Sequence, residues 1–250
     1  MGSLLIEVRK YPRFKLVLVW LALTGFEVLW VCAALAVSLV RETVITKTIL
    51  YPLAQASQIH AFLFPISVAV LASRVSVLEH DASSYKLIFT TSISPARLFV
   101  AKFTALQALC CCACVVHVAT IAFVAGSAQI PIDAGYMSLY ALGCVVAGLP
   151  MGAIQLYLGL RYARQQVTLL VGGVGGLIGS LAQLMPRWVS LLLPWQYSAL
   201  LSPAVVEAQG GTIVALHFPS GYVGDMLLVV AIGLVLPCIL AKLFEYNVMR

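Results

Sequence analysis

Apolar residues fall along this chain in six long stretches, separated by short loops that collect the charges. The stretches cover about residues 16–40, 53–77, 98–126, 137–160, 167–185 and 226–244. A helix needs roughly 20 apolar residues to cross bilayer hydrocarbon. The pattern therefore predicts an all-α membrane protein with six transmembrane helices. They use up the chain, so residues 1–250 form a single transmembrane domain.

Three further segments break the simple pattern. Residues 1–15 place Leu4, Leu5 and Val8 at helical spacing beside Glu7, Arg9 and Lys10. This predicts an amphipathic helix on the membrane surface, broken by Pro12 before span 1. Residues 78–97 form a polar loop with exposed apolar side chains between spans 2 and 3. Residues 186–224 are too apolar for a water-exposed loop and too short to cross, which predicts a re-entrant or interfacial hairpin of helices between spans 5 and 6. Within it Pro194, Trp195 and Tyr197 stand together, and Trp188, Trp195 and Tyr197 suit the headgroup level.

Charge sets the expected orientation. With the N-terminus inside, twelve of the 15 Lys and Arg residues lie inside, and Arg41, Lys47 and Arg187 lie outside. That bias predicts a multi-pass protein with both termini cytoplasmic. The same placement explains the net charge of +6 without a nucleic-acid partner. Composition agrees: 62% of residues are hydrophobic and 10% charged, with a mean hydropathy of +1.03, where a soluble domain carries about a quarter charged residues. The basic start precedes an apolar run longer than a signal-peptide core, so span 1 is expected to stay in the mature protein.

Chemistry is sparse. Cys110, Cys111, Cys112 and Cys114 cluster inside one apolar run and lack zinc-site spacing, so they read as small apolar residues. His60, His80, His117 and His217 are scattered, with His60 near the outer end of span 2 and His117 near the middle of span 3. No catalytic residues, metal ligands or cofactor sites are assigned. No GxxxxGK[ST] phosphate loop occurs, so any ATP must be bound by another chain.

Glu27 is the ionisable carboxylate deep inside a span, where a charge costs about 3 kcal/mol on insertion scales. It reads either as a polar contact in a transport path or dimer seam, or as a structural hydrogen bond to Ser, Thr or Gln on a neighbouring helix. Gly172, Gly176 and Gly179 in span 5 allow close helix approach, again at a pathway or dimer seam. In the 78–97 loop, Asp81 or Ser83 can cap a short helix that puts Tyr85, Ile88 and Phe89 on one face. That face suits either the lipid surface or a groove in a soluble subunit. Ser94-Pro95 reads as an N-cap followed by proline at the first helical position, with Arg97 and Lys102 beyond it.

Taken in order, these features resemble the permease subunits of type-2 ABC transporters, and most of all the lantibiotic-immunity permeases. The resemblance rests on the basic opening Glu7 to Lys15, then on Glu79 with Tyr85-Lys86-Leu87, Ser94-Pro95-Ala96-Arg97 and Lys102. The outer Leu193-Pro194-Trp195-Gln196-Tyr197 with Ser202-Pro203 and a short basic C-terminus complete it. Ala82-Ser83-Ser84 stands where the family usually has glycine, and Glu27 matches no family motif.

The resemblance implies a coupling helix in the cytoplasmic loop, with Glu79, Asp81, Tyr85, Lys86, Ile88, Phe89 and Arg97 facing an ABC ATPase subunit present in two copies. It implies a second permease, identical or paralogous, and ATP and Mg held on the partner rather than on this chain. The expected work is export of an amphipathic peptide across a bacterial plasma membrane, as in self-immunity to an antimicrobial peptide. The competing readings are a membrane redox or enzyme subunit and a passive peptide-binding immunity protein.

Overall fold

The computed structural model describes residues 12–39, 47–81, 94–162, 164–209 and 212–248. Long helices dominate: α1 (Pro12–Leu39), α2 (Leu50–Asp81), α3 (Pro95–Ser127), α4 (Ala134–Arg161), α5 (Gln165–Ser180) and α8 (Tyr222–Val248). Between α5 and α8 lie short helices α6 (Arg187–Leu192) and α7 (Tyr197–Leu200), single 3-10 turns at Ala182–Leu184 and Pro194–Gln196, and two strands, β1 (Val205–Gln209) and β2 (Thr212–His217).

Helix starts follow local chemistry. Ser94 caps α3, its hydroxyl accepting from the Arg97 amide at 3.4 Å, and Pro95 follows at the first turn, as the sequence predicts. Asp133 caps α4 by accepting from the Gly135 and Tyr136 amides at 2.7 and 3.1 Å. Pro12 opens α1, so residues 12–15 belong to this helix; residues 1–11 of the expected interfacial helix lie outside the described residues.

Among the described residues, five helical segments are long and apolar enough to cross a bilayer: Leu16–Val37, Leu50–Ser76, Pro95–Ser127, Ala134–Arg161 and Tyr222–Val248. They match five of the predicted stretches. The sixth differs. The expected span at 167–185 is the 16-residue helix α5, followed by a 3-10 turn. At 1.5 Å per residue it is about 24 Å long, short of roughly 30 Å of hydrocarbon.

The segment at 186–224 also departs from a purely helical hairpin. After α6 and α7 the chain forms an antiparallel β-ribbon in which Val205 faces His217 and Gln209 faces Thr212. The signal was present in the sequence: Val205-Val206 and Thr212-Ile213-Val214 flank Gly210-Gly211. Polar side chains fasten the segment. Gln196 Nε2 donates to the Ile178 carbonyl at 3.0 Å, and the Tyr197 hydroxyl to that of Leu191 at 2.8 Å. The Tyr222 hydroxyl reaches the Leu139 and Leu201 carbonyls at 2.9 and 3.2 Å. Arg187 grips both oxygens of the buried Asp225 carboxylate, at 2.7 Å for the shortest contact; this contact raises the guanidinium further above its ordinary value.

Helices α2 and α4 form the centre. About two thirds of the spanning window of each is buried, against 17% for α1 and 28% for α3 and α8. The outer faces of α1, α3 and α8 carry Leu29, Val37, Phe123, Leu227 and Leu234 exposed, as a lipid-facing surface requires. Close approach inside comes from small residues. A Cβ on Gly172 would strike the Ala69 side chain, and one on Gly176 would sit 2.5 Å from the Phe62 carbonyl oxygen. A Cβ on Gly179 would meet the Ala61 carbonyl. The glycine face of α5 thus packs antiparallel on this chain's own α2, while Gly173 on the other face meets nothing within 4 Å.

Gly176→Val therefore overpacks the α2–α5 seam and is expected to cost about 1–3 kcal/mol. Gly173→Ala is expected to be neutral or slightly stabilising. Thermal unfolding of detergent-purified protein checks both; equal midpoints for the two variants would refute this packing.

Candidate functional site

The three peripheral and central helices α1, α2 and α3 each bring one polar side chain to the same depth. Glu27 lies twelve residues before the end of α1 at Leu39, His60 ten residues after the start of α2 at Leu50, and His117 ten residues before the end of α3 at Ser127. At 1.5 Å per residue this is about 15–18 Å from the connected ends of the helices. All three side chains are buried.

The carboxylate is the hub. Glu27 Oε1 lies 2.6 Å from His60 Nδ1 and 3.0 Å from His117 Nδ1. The first contact has hydrogen-bond geometry; the second does not, so His117 Nδ1 is buried without a hydrogen-bond partner despite its proximity. The two imidazoles lie with centroids 4.6 Å apart, and His60 stacks on Phe64 at 4.5 Å. Behind His117, Nε2 is 2.9 Å from the buried Tyr140 hydroxyl of α4. Cys114 lies against both His60 and Cys144.

Helical spacing explains why α3 serves this site. Gln107, Cys110, Cys114, His117 and Ile121 recur at intervals of three or four and, with Leu106, form its buried face. The cysteines are small, which lets α3 approach α2 and α4. Gln107 donates from Nε2 to the Gly148 carbonyl at 3.0 Å, and its amide fills the place a Cβ would take at Gly152. Trp20 Nε1 donates to the Leu109 carbonyl at 2.9 Å and pins α1 to α3. A cavity of about 10 Å³ beside Glu27, lined by Trp20, Thr24, Ser67 and Cys110 among others, has room for about one water molecule.

The predicted site residues distribute as follows. Glu27 is inside the chain, and its partners are imidazoles of two neighbouring helices rather than Ser, Thr or Gln. Gly172, Gly176 and Gly179 meet α2 and the Trp195 region, not an outer face. Trp195 folds back over Gly175 of α5, and Tyr197 is buried, with burial raising its phenol above the ordinary value. Glu79 and Asp81 belong to the last turn of α2, Arg97 is exposed at the start of α3, and Tyr85, Lys86, Ile88 and Phe89 lie outside the described residues. Lys102 donates to the Val75 carbonyl of α2 at 2.9 Å.

His60, His117 and Tyr140 are what the sequence analysis missed. Placing the start of span 2 at Leu53 rather than Leu50 put His60 too near its end. The available signal was Glu27 itself, because a buried carboxylate demands donors, and the histidines of spans 2 and 3 were the imidazoles in reach.

Glu27→Ala strands two buried imidazoles facing each other and is expected to lower stability by on the order of 3 kcal/mol. Glu27→Gln retains an acceptor for His60 and is expected to lose clearly less. Unfolding midpoints in detergent decide; equal, small losses would mean the carboxylate carries no weight in the bundle.

No curated protein sequence matches the chain. A family match does exist, to the family described as ABC-2 family transporter protein, and it covers residues 3–179, from the start of the chain to the end of α5. It spans most of the chain, including α1–α5 and every member of the buried Glu27 cluster. The apolar helices, the capped start of α3 and this match agree, and the chain belongs to the ABC-2 family of transporter proteins, as a membrane permease component that works with an ATPase subunit.

Proposed function

We propose that this chain is the membrane-spanning half of an exporter that expels an amphipathic peptide or similar hydrophobic compound, in the manner of a lantibiotic-immunity permease. The observation that carries the reading is the family match over residues 3–179 on a bundle whose spans bear few polar groups. A sparse polar lining suits an apolar cargo better than a sugar or an ion. A groove of about 200 Å³ along α5, lined by Leu170, Val171, Val174, Ile178 and Trp195, adds an apolar surface of the same kind.

Two ATPase subunits bind ATP and Mg, and two permeases, identical or paralogous, form the path. ATP binding favours one arrangement of the pair and hydrolysis resets it. The coupling element is the segment from Glu79 to Arg97, which begins in the last turn of α2 and ends in the first turn of α3. Movement there is carried along α2, a continuous 32-residue helix that passes His60 and packs against α5. α5 with its following turn makes a short sixth pass, which keeps both termini on the cytoplasmic side of a bacterial plasma membrane, in line with the Lys and Arg bias.

Deleting residues 84–89 is expected to leave expression and insertion intact while abolishing co-purification with the partner ATPase subunit. Recovery of the ATPase at normal yield would refute the coupling assignment. In cells challenged with the peptide, the deletion is expected to abolish resistance, and undiminished resistance would count against export.

A further inference from the structure

We propose that Glu27, His60 and His117 form a binding site for a divalent first-row transition-metal ion, with zinc as the best match, inside the membrane domain. The inference stands apart from the export reading and rests on the geometry of the three side chains. One carboxylate oxygen and two imidazole nitrogens, from three different helices, lie within 4.8 Å of one another and are fully enclosed. His₂Glu is a recurrent three-ligand set for zinc, which leaves a fourth position for water.

Two details favour an ion over a plain hydrogen-bonded triad. The first is His117 Nδ1, 3.0 Å from Glu27 Oε1 yet not in hydrogen-bond geometry with it. If Nε2–H donates to Tyr140, then Nδ1 and the carboxylate oppose two lone pairs at that distance, and a cation between them removes the conflict. The second is Tyr140 itself. Metal-bound imidazoles hold their distal nitrogen to a hydrogen-bonding partner, and the Tyr140 hydroxyl at 2.9 Å from Nε2 occupies that place. Ligand atoms around tetrahedral zinc sit about 3.3 Å apart, from bond lengths of about 2.0–2.1 Å. The present contacts of 2.6 and 3.0 Å would open by about 0.7 and 0.3 Å to admit the ion. Entry of the ion expels the Nδ1 proton that now joins His60 to Glu27, so proton release accompanies binding.

The test uses tag-free, detergent-purified full-length protein carrying His80→Asn and His217→Asn to remove background imidazoles. After chelator treatment it is titrated with Co²⁺, and separately with Zn²⁺ followed by elemental analysis. The expected result is one ion per chain and visible ligand-field absorption of tetrahedral cobalt. Glu27→Gln and His117→Ala are expected to abolish the absorption, and Tyr140→Phe, which removes no ligand, to weaken binding about tenfold. Should the ligand variants fail to fold, Cu²⁺ loaded into the parent protein is expected to show electron paramagnetic resonance coupling to two imidazole nitrogens. Well-folded parent protein that takes up no ion, uptake unchanged in Glu27→Gln and His117→Ala, or copper coupled to fewer than two nitrogens would each overturn the proposal. The triad would then be a protonated hydrogen-bond cluster only.

Discussion

A carboxylate held in the apolar middle of the bundle is the constraint around which the helices arrange themselves. Glu27 cannot face hydrocarbon without a cost of about 3 kcal/mol, so it turns inward and meets two imidazoles. That requirement fixes the rotation and depth of α1 relative to α2 and α3. It matters most for α1, which buries little of its surface and has no hydrophobic drive to pack when lipid surrounds it. Glu27 and the Trp20–Leu109 hydrogen bond are directional contacts that place this helix where dispersion alone would leave it free to slide or rotate.

The remainder of the bundle is held by a different device. Between α2 and α5, and between α4 and its neighbours, small residues bring backbones together. Gly159 lies against Ser76 of α2, Gly143 against the Leu201 carbonyl, and Gly233 of α8 against Leu149. Around the chain between α5 and α8, side-chain hydrogen bonds from Gln196, Tyr197, Tyr222 and Arg187 replace the missing regular structure. In a transporter subunit this division has mechanical sense. A close-packed centre is suited to moving as a unit, and α2 runs from the Glu27 cluster toward the segment proposed above as the coupling element.

Much of this was legible beforehand, for reasons specific to each element. The long apolar runs, the Ser94-Pro95 start of α3 and the inward demand of Glu27 are local consequences of residue chemistry, and each is found in the structure. The β-ribbon was legible in the β-branched runs around Gly210-Gly211 but was masked by the apolar helical segments before it. The short α5 was misjudged because hydropathy does not register where a helix stops: the chain leaves helical geometry after Ser180 while the composition stays apolar to Met185.

The sequence by itself determined that this chain lives in a bilayer, where five of its long helices lie, where several of them begin, and that one buried acid needs company. Those properties depend on transfer free energies and on side chains bonding to backbone a few residues away. Only the tertiary structure decided that the company is His60 and His117, that Tyr140 stands behind them, and that the glycines of α5 serve its own α2. Such pairings join residues 23 or more positions apart. They depend on helix rotation and relative depth, for which a shift of three residues at one helix start is enough to hide a contact.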